Sequence, residues 1–177
     1  MSLADLLASL ALLGLVMGAT LTLLQHGLRT YAAGAARVES QQSARIALER
    51  MAREIRQAGY AAGGASFPAI SVAERSRIVI HVDLDGDGAS AGSRETITWR
   101  LTSGVLRRNA GGGAQPIVNG VRDLELTYLD FRGHPTTTPD EIRAVVIVLT
   151  TEADRATGDP ARSVATTIAT QVRLRNR

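Results

Sequence analysis

Asp83, Asp85 and Asp87 alternate in the run Asp-Leu-Asp-Gly-Asp-Gly, with Gly88 in the sixth place. Carboxylates at this spacing can converge hard oxygen ligands on one divalent cation, and glycine permits the sharp turn that brings them together. Calcium is the cation that such an oxygen set suits. The run reproduces the first half of a helix-loop-helix calcium loop, but the twelfth position holds Arg94, and the acid, Glu95, comes one residue late. The flanks read as strands. The expectation is therefore an irregular calcium-stabilised turn between two strands, with Asp83, Asp85, Asp87 and Glu95 as ligands. The alternative is an Asp/Gly-rich hairpin loop without a cation, since these residues favour turns in their own right. Crowded carboxylates repel one another, and a cation relieves that repulsion.

Asp5 is the second residue of interest. It stands at the tip of an apolar run, residues 6–24, and no formally charged side chain occurs from Leu6 to Leu28. A carboxylate at the end of a spanning segment costs much less than one at its middle, and a helix N-terminus favours it through the macrodipole. Gly14 and Gly18 form a GxxxG inside the same run, a spacing that lets helix backbones approach closely in membranes. His26, His81 and His134 are isolated, without the paired spacing of a metal site. No nucleophile elbow, phosphate loop or dinucleotide fingerprint is present, and without cysteine there is neither a disulfide framework nor a thiol nucleophile. With no catalytic constellation in the sequence, the chain is not expected to be an enzyme.

These residues need elements to hold them. With 177 residues the chain has room for one folded head and an appendage. All 20 basic residues are arginine, set against 17 acids, for a net charge of +3. That balance is too mild to imply a nucleic-acid partner. At about 1.5 Å per residue, residues 6–28 would cross the roughly 30 Å of a bilayer's hydrocarbon. The run is longer than a signal-peptide core, and helical pattern continues through it, so it reads as retained.

Past His26 the helix turns amphipathic, with Ala44, Ala47, Leu48, Met51, Ile55 and Ala58 forming one apolar stripe. Arg45 with Glu49, Glu49 with Arg53 and Arg50 with Glu54 stand four apart on what reads as a solvated outer face. Gly59, Gly63, Gly64 and Pro68 stop the helix, giving a single element from about Ser2 to Ala58. Beyond it the period falls to two, with strands predicted at 77–83, 95–101, 105–108, 124–131, 144–151 and 164–174. Ser103-Gly104 reads as a tight turn, and glycine and proline clusters at 111–113, 133–139 and 158–160 as loops. The expected fold is α+β: a long N-terminal helix packed by its stripe on an antiparallel sheet of about five strands. The implied divisions are 1–28, an apolar helix for a membrane or an equally dry protein core; 29–59, its amphipathic continuation; and 60–177, the head. Arg173, Arg175 and Arg177 alternate along the last strand as a solvated edge.

The opening Met1-Ser-Leu-Ala-Asp5-Leu-Leu-Ala-Ser-Leu-Ala-Leu-Leu-Gly14 resembles the N-terminus of the type IV pilins and of the pseudopilins of type II secretion systems. In that family a prepilin peptidase cuts after a glycine. The new first residue is commonly N-methylated, and the fifth is acidic, usually Glu. Met1 matches the first position and Asp5 the fifth. Residues 43–60 and the strand at 95–101 are similar to minor pilins of the PilW type and to J-type pseudopilins. The resemblance implies a subunit anchored by one pass in a bacterial inner membrane and then polymerised into an extracellular or periplasmic filament. Its implied partners are copies of itself and related pilins, the prepilin peptidase and the assembly machinery, with no nucleic acid. Met1, Asp5, Gly14 and Gly18 become assembly residues, Asp5 neutralising a neighbour's N-terminal ammonium in the dry filament core. Helices of the family often carry a proline where Thr22 stands here, so whether this helix unwinds between Gly14 and Thr22 is open. The competing reading is a membrane-tethered β-domain that binds calcium or a surface ligand and does not polymerise.

Overall fold

A computed structural model describes residues 2–61, 64, 67–90, 92, 94–151 and 165–176, with the side chain of Arg37 left aside. Met1, Gly63, the expected turn at 158–160 and Arg177 lie outside them. Helix α1 runs unbroken from Leu3 to Gln57, 55 residues or about 82 Å. It passes through Gly14, Gly18 and Thr22 without unwinding. Among residues 3–57 there is no proline to interrupt the hydrogen-bond ladder.

The stripe expected from the spacing is buried at every position: Ala44, Ala47, Leu48, Met51, Ile55 and Ala58 all join the core. Gly59, at φ +77, turns the chain off the helix and donates its N–H to His81 O at 2.8 Å. A Cβ there would press on Ala69 and on Asn176 O, each 2.9 Å away, so only glycine fits. The carbonyls orphaned at the helix end are met by the C-terminal segment. Arg175 N–H donates to Arg56 O at 3.3 Å, and Asn176 Nδ2 to Gln57 O at 3.2 Å.

The head contains two antiparallel sheets where one was expected. Strands β1 (Ile70–Glu74), β2 (Arg77–His81), β3 (Thr96–Thr102), β4 (Val105–Asn109) and β5 (Gln115–Asn119) form a five-stranded sheet in sequence order. Strands β6 (Val121–Leu129), β7 (Ala144–Thr151) and β8 (Thr166–Arg173) form a second, three-stranded sheet. Hairpin pairing within each sheet is set by inward-facing apolar residues: Ile78 opposite Trp99, Ile80 opposite Ile97, Leu124 opposite Leu149. The Ser103-Gly104 turn has φ of 50 and 74 at its two residues, as a two-residue hairpin of the primed type requires.

The sheets are fastened where the β1–β2 turn meets β6. Leu126 N–H donates to Arg75 O at 2.7 Å, Tyr128 Oη to Glu74 O at 2.8 Å, and Arg75 pairs with Asp123 at 3.1 Å. Burial, and secondarily the Glu74 charge, push the Tyr128 phenol well above its ordinary range, so it stays a donor at any physiological pH. Strand β8 lies along α1, with Gln41 Nε2 donating to Thr166 Oγ1 at 3.1 Å. Arg173 and Arg175 are exposed along that segment, as expected for a solvated edge.

Candidate functional site

Two regions hold the residues singled out from the sequence. The first is the apolar half of α1. Leu3, Leu10, Leu15 and Leu23 are 63–80% exposed, and an 18-residue window of this half is long and apolar enough to cross a membrane with none of it buried against the head. The hydroxyls within the apolar run are satisfied by the helix itself. Ser9 donates to Leu6 O, Thr20 to Met17 O, and Thr22 to Gly18 O at 2.8–2.9 Å. A hydroxyl bound in this way brings no unpaired donor into a dry environment.

Asp5 closes the N-terminus of the same helix. Ser2 N–H donates to Asp5 Oδ2 at 2.9 Å, and Asp5 N–H donates to Ser2 Oγ at 3.2 Å, a reciprocal capping box. The carboxylate thus satisfies an orphan donor of its own helix and sits at the positive end of the macrodipole. A Cβ built on Gly14 or Gly18 meets nothing within 4 Å, so that face is open to a second helix. The structure places both glycines and Asp5 on one exposed segment and does not bring them into contact with the head.

The second region is the acidic loop after β2. It is anchored on two sides: Asp83 N–H donates to Tyr60 O, just past α1, at 2.8 Å, and Val82 N–H donates to Glu95 O, just before β3, at 2.9 Å. Asp83 is fully buried, with Gly86 N–H on Oδ1 at 2.7 Å and Gly88 N–H on Oδ2 at 3.2 Å. Asp83, Asp85 and Asp87 each offer an oxygen within 4.8 Å of the others. Opposed ligands on a calcium ion at about 2.4 Å stand about 4.8 Å apart, so the trio fits on one coordination sphere.

Glu95 does a different job. Its Oε1 accepts from Leu84 N–H at 3.0 Å and from Asp85 N–H at 3.4 Å, and its Oε2 accepts from Gly92 N–H at 2.6 Å. Arg94 at φ 72 turns the chain so that the next residue points back into the loop. A Cβ on Gly92 would collide with that carboxylate. Buried at 1% exposure, Glu95 braces the loop through backbone amides and stands outside the converging trio.

A third cluster escaped the sequence reading. Glu54 was expected on the solvated face, yet it accepts from Trp99 Nε1 at 2.7 Å and from Arg108 Nε at 2.9 Å, and also pairs with Arg50 at 3.3 Å. Its side chain is 13% exposed and that of Arg108 14%. The signal was in the spacing: Glu54 stands seven after Ala47, three after Met51 and four before Ala58, inside the stripe itself.

A long helix, bare and apolar for its first half and packed by its stripe from Ala44 to Ala58 on a β-sheet head, is the architecture that the pilin resemblance implies. Residues 34–174 match the family model described as Prepilin peptidase-dependent protein B, and the chain belongs to that family. The match covers the amphipathic half of the helix and the head. It therefore supports the pilin resemblance from a part of the chain that the N-terminal residues do not touch. The family relates the protein to pilus and pseudopilus assembly. A search of curated proteins gives no match.

Proposed function

We propose that this protein is a structural subunit of a type IV pilus or type II secretion pseudopilus, not an enzyme. It is held by one pass in a bacterial inner membrane and then drawn into a helical filament outside the cell or in the periplasm. The observation that carries the reading is the apolar half of α1, exposed along its whole length in a chain of a prepilin peptidase-dependent family. Such a surface must be covered, first by lipid and then by the matching helices of neighbouring subunits. Polymerisation exchanges one dry environment for another. The internally bonded hydroxyls of Ser9, Thr20 and Thr22 suit both.

In this reading Asp5 has two tasks in sequence. Before assembly it caps its own helix through Ser2. In the filament core its carboxylate meets the N-terminal ammonium of a neighbour, so that two charges in a dry bundle become a pair. Gly14 and Gly18 supply the face on which a neighbouring helix comes close. Partners are then copies of this chain, related pilins and the assembly machinery. Purified filaments should contain the chain with a processed, N-methylated first residue. An intact leader, or absence from every filament preparation, would overturn the proposal. An Asp5→Ala variant should insert in the membrane and polymerise poorly; normal assembly would remove the pairing role.

The acidic loop supports a separate element of the proposal, a calcium ion held by Asp83, Asp85 and Asp87 and braced by Glu95. Calorimetric titration of the chain in neutral detergent should give saturable calcium binding that Asp85→Ala abolishes. Equal binding by the variant would exclude the site. Strong calcium binding by a chain that stays monomeric, with an unprocessed N-terminus, would favour the tethered binding module instead.

A further inference from the structure

The outer face of the five-stranded sheet carries a row of arginines that the assembly reading does not use. Arg77 on β2 stands directly opposite Arg100 on β3, and Arg100 directly opposite Arg107 on β4. Directly paired side chains on neighbouring strands have Cβ atoms about 4.5–5.5 Å apart, and like charges in that relation are destabilising. Guanidinium groups cannot shed the charge by losing a proton. Glu74, opposite Arg77 on β1, approaches Arg77 at 3.9 Å. Among the described residues, no carboxylate lies in ion-pair range of Arg100 or Arg107.

Ordinary explanations of a charged strand do not reach this row. Edge protection applies to β1 and β5, whereas Arg100 lies on the central strand. Alternation of apolar and polar faces asks for any polar residue, and the next row is met with Thr98 opposite Asn109. The register also distinguishes the two neighbours Arg107 and Arg108. Arg108 turns inward to Glu54, and Arg107 remains on the outer face, donating to Ala114 O at 3.4 Å. Arg77, Thr98, Arg100, Arg107, Asn109 and Ala114 line one hollow of about 180 Å³.

We propose that this hollow binds a tetrahedral oxyanion, a phosphate group either free or carried as an ester. Three guanidinium forks supply donors only, and Thr98 and Asn109 add a hydroxyl and an amide beside them. A planar carboxylate is satisfied by one fork, while a phosphate has acceptor oxygens for several. The anion would also relieve the repulsion along the row.

The test is a calorimetric titration of the full chain in maltoside micelles, in a buffer free of phosphate and sulfate, with inorganic phosphate as the probe. Saturable binding is expected. Arg100→Gln should weaken it at least tenfold, and Arg132→Gln, on the loop after β6 and not part of the hollow's lining, should leave it unchanged. Thermal melting supplies a second readout. Without phosphate, Arg100→Gln should melt higher than the parent chain because a repulsion is gone. Added phosphate should then raise the parent's melting temperature more than the variant's, a difference that the general salting effect of phosphate does not produce. If Arg100→Gln fails to fold, Arg107→Gln carries the same expectations. Tighter binding of glycerol 2-phosphate than of inorganic phosphate would identify an ester as the ligand, and the reverse order the free ion. Absence of saturable binding, or unchanged affinity in the folded Arg100 and Arg107 variants, would overturn the proposal.

Discussion

The two halves of α1 share one backbone and differ in what covers them. From Ala44 to Ala58 the helix is amphipathic and its stripe is sealed by two sheets, with Ala44 and Ile55 at 0% exposure. In the first half leucines face outward on all sides, Leu3 at 80% and Leu28 at 61%. Both stretches satisfy their backbone internally, so the difference lies wholly in side-chain burial. The second half stabilises the head, and the first contributes nothing to it until another hydrophobic phase is supplied.

That contrast can be broken most sharply at Ile55. Truncation to alanine should destabilise the head by about 3–4 kcal/mol, since a fully buried side chain leaves a cavity. The matching change Leu13→Ala should shift head unfolding by no more than about 0.5 kcal/mol. Denaturant unfolding of both variants in neutral detergent makes the comparison. Next comes Glu54→Ala, which strands Arg108 and the Trp99 indole and should cost roughly 3 kcal/mol, with Glu54→Gln costing less because the amide oxygen still accepts from Trp99. Asp83→Asn, which loses charge from a carboxylate held by two backbone amides, should cost about 1–2 kcal/mol.

The smallest expected effect is a pH dependence in the head alone. Burial holds the His81 imidazole below its ordinary value of 6.5, against a weaker opposing contribution from the Ser90 backbone, while Ser71 and Thr96 hydroxyls flank its ring. The folded state therefore binds that proton less readily than the unfolded chain. Stability from this group is fully present above 6.5 and is lost as pH falls through the lowered folded value. Melting curves from pH 8 to 5 should show the decline, and His81→Gln should flatten it. Asp130 adds a further loss at lower pH, because backbone amides led by His134 depress its carboxyl.

Much of this was legible in the sequence, for identifiable reasons. The helix, its stripe and the Ser103-Gly104 turn follow from periodicity and from residues that tolerate positive φ. Six of the strands were expected from alternation, and the two missed, β1 and β5, are the edges of the five-stranded sheet. Edge strands need less of the pattern: β5 carries Pro116, which a central strand would not accept, and β1 is short and shifts register between Ile70 and Val72. The division into two sheets depends on contacts distant in sequence, such as Tyr128 with the β1–β2 turn, and no local pattern encodes it. In the acidic loop the converging trio was legible. The bracing role of Glu95 was not, because it rests on the φ of Arg94 and on the absence of a side chain at Gly92.

The central claim is that the bare half of α1 is covered by the same half of other subunits. The chain has no cysteine, so a single Leu13→Cys substitution would report on its neighbours alone. Oxidation of cells under assembling conditions should give disulfide-linked products of two or more subunits, and a Cys at Phe131 on the exposed head loop should give far fewer. Monomer alone from Leu13→Cys, in cells that make filaments, would contradict the account.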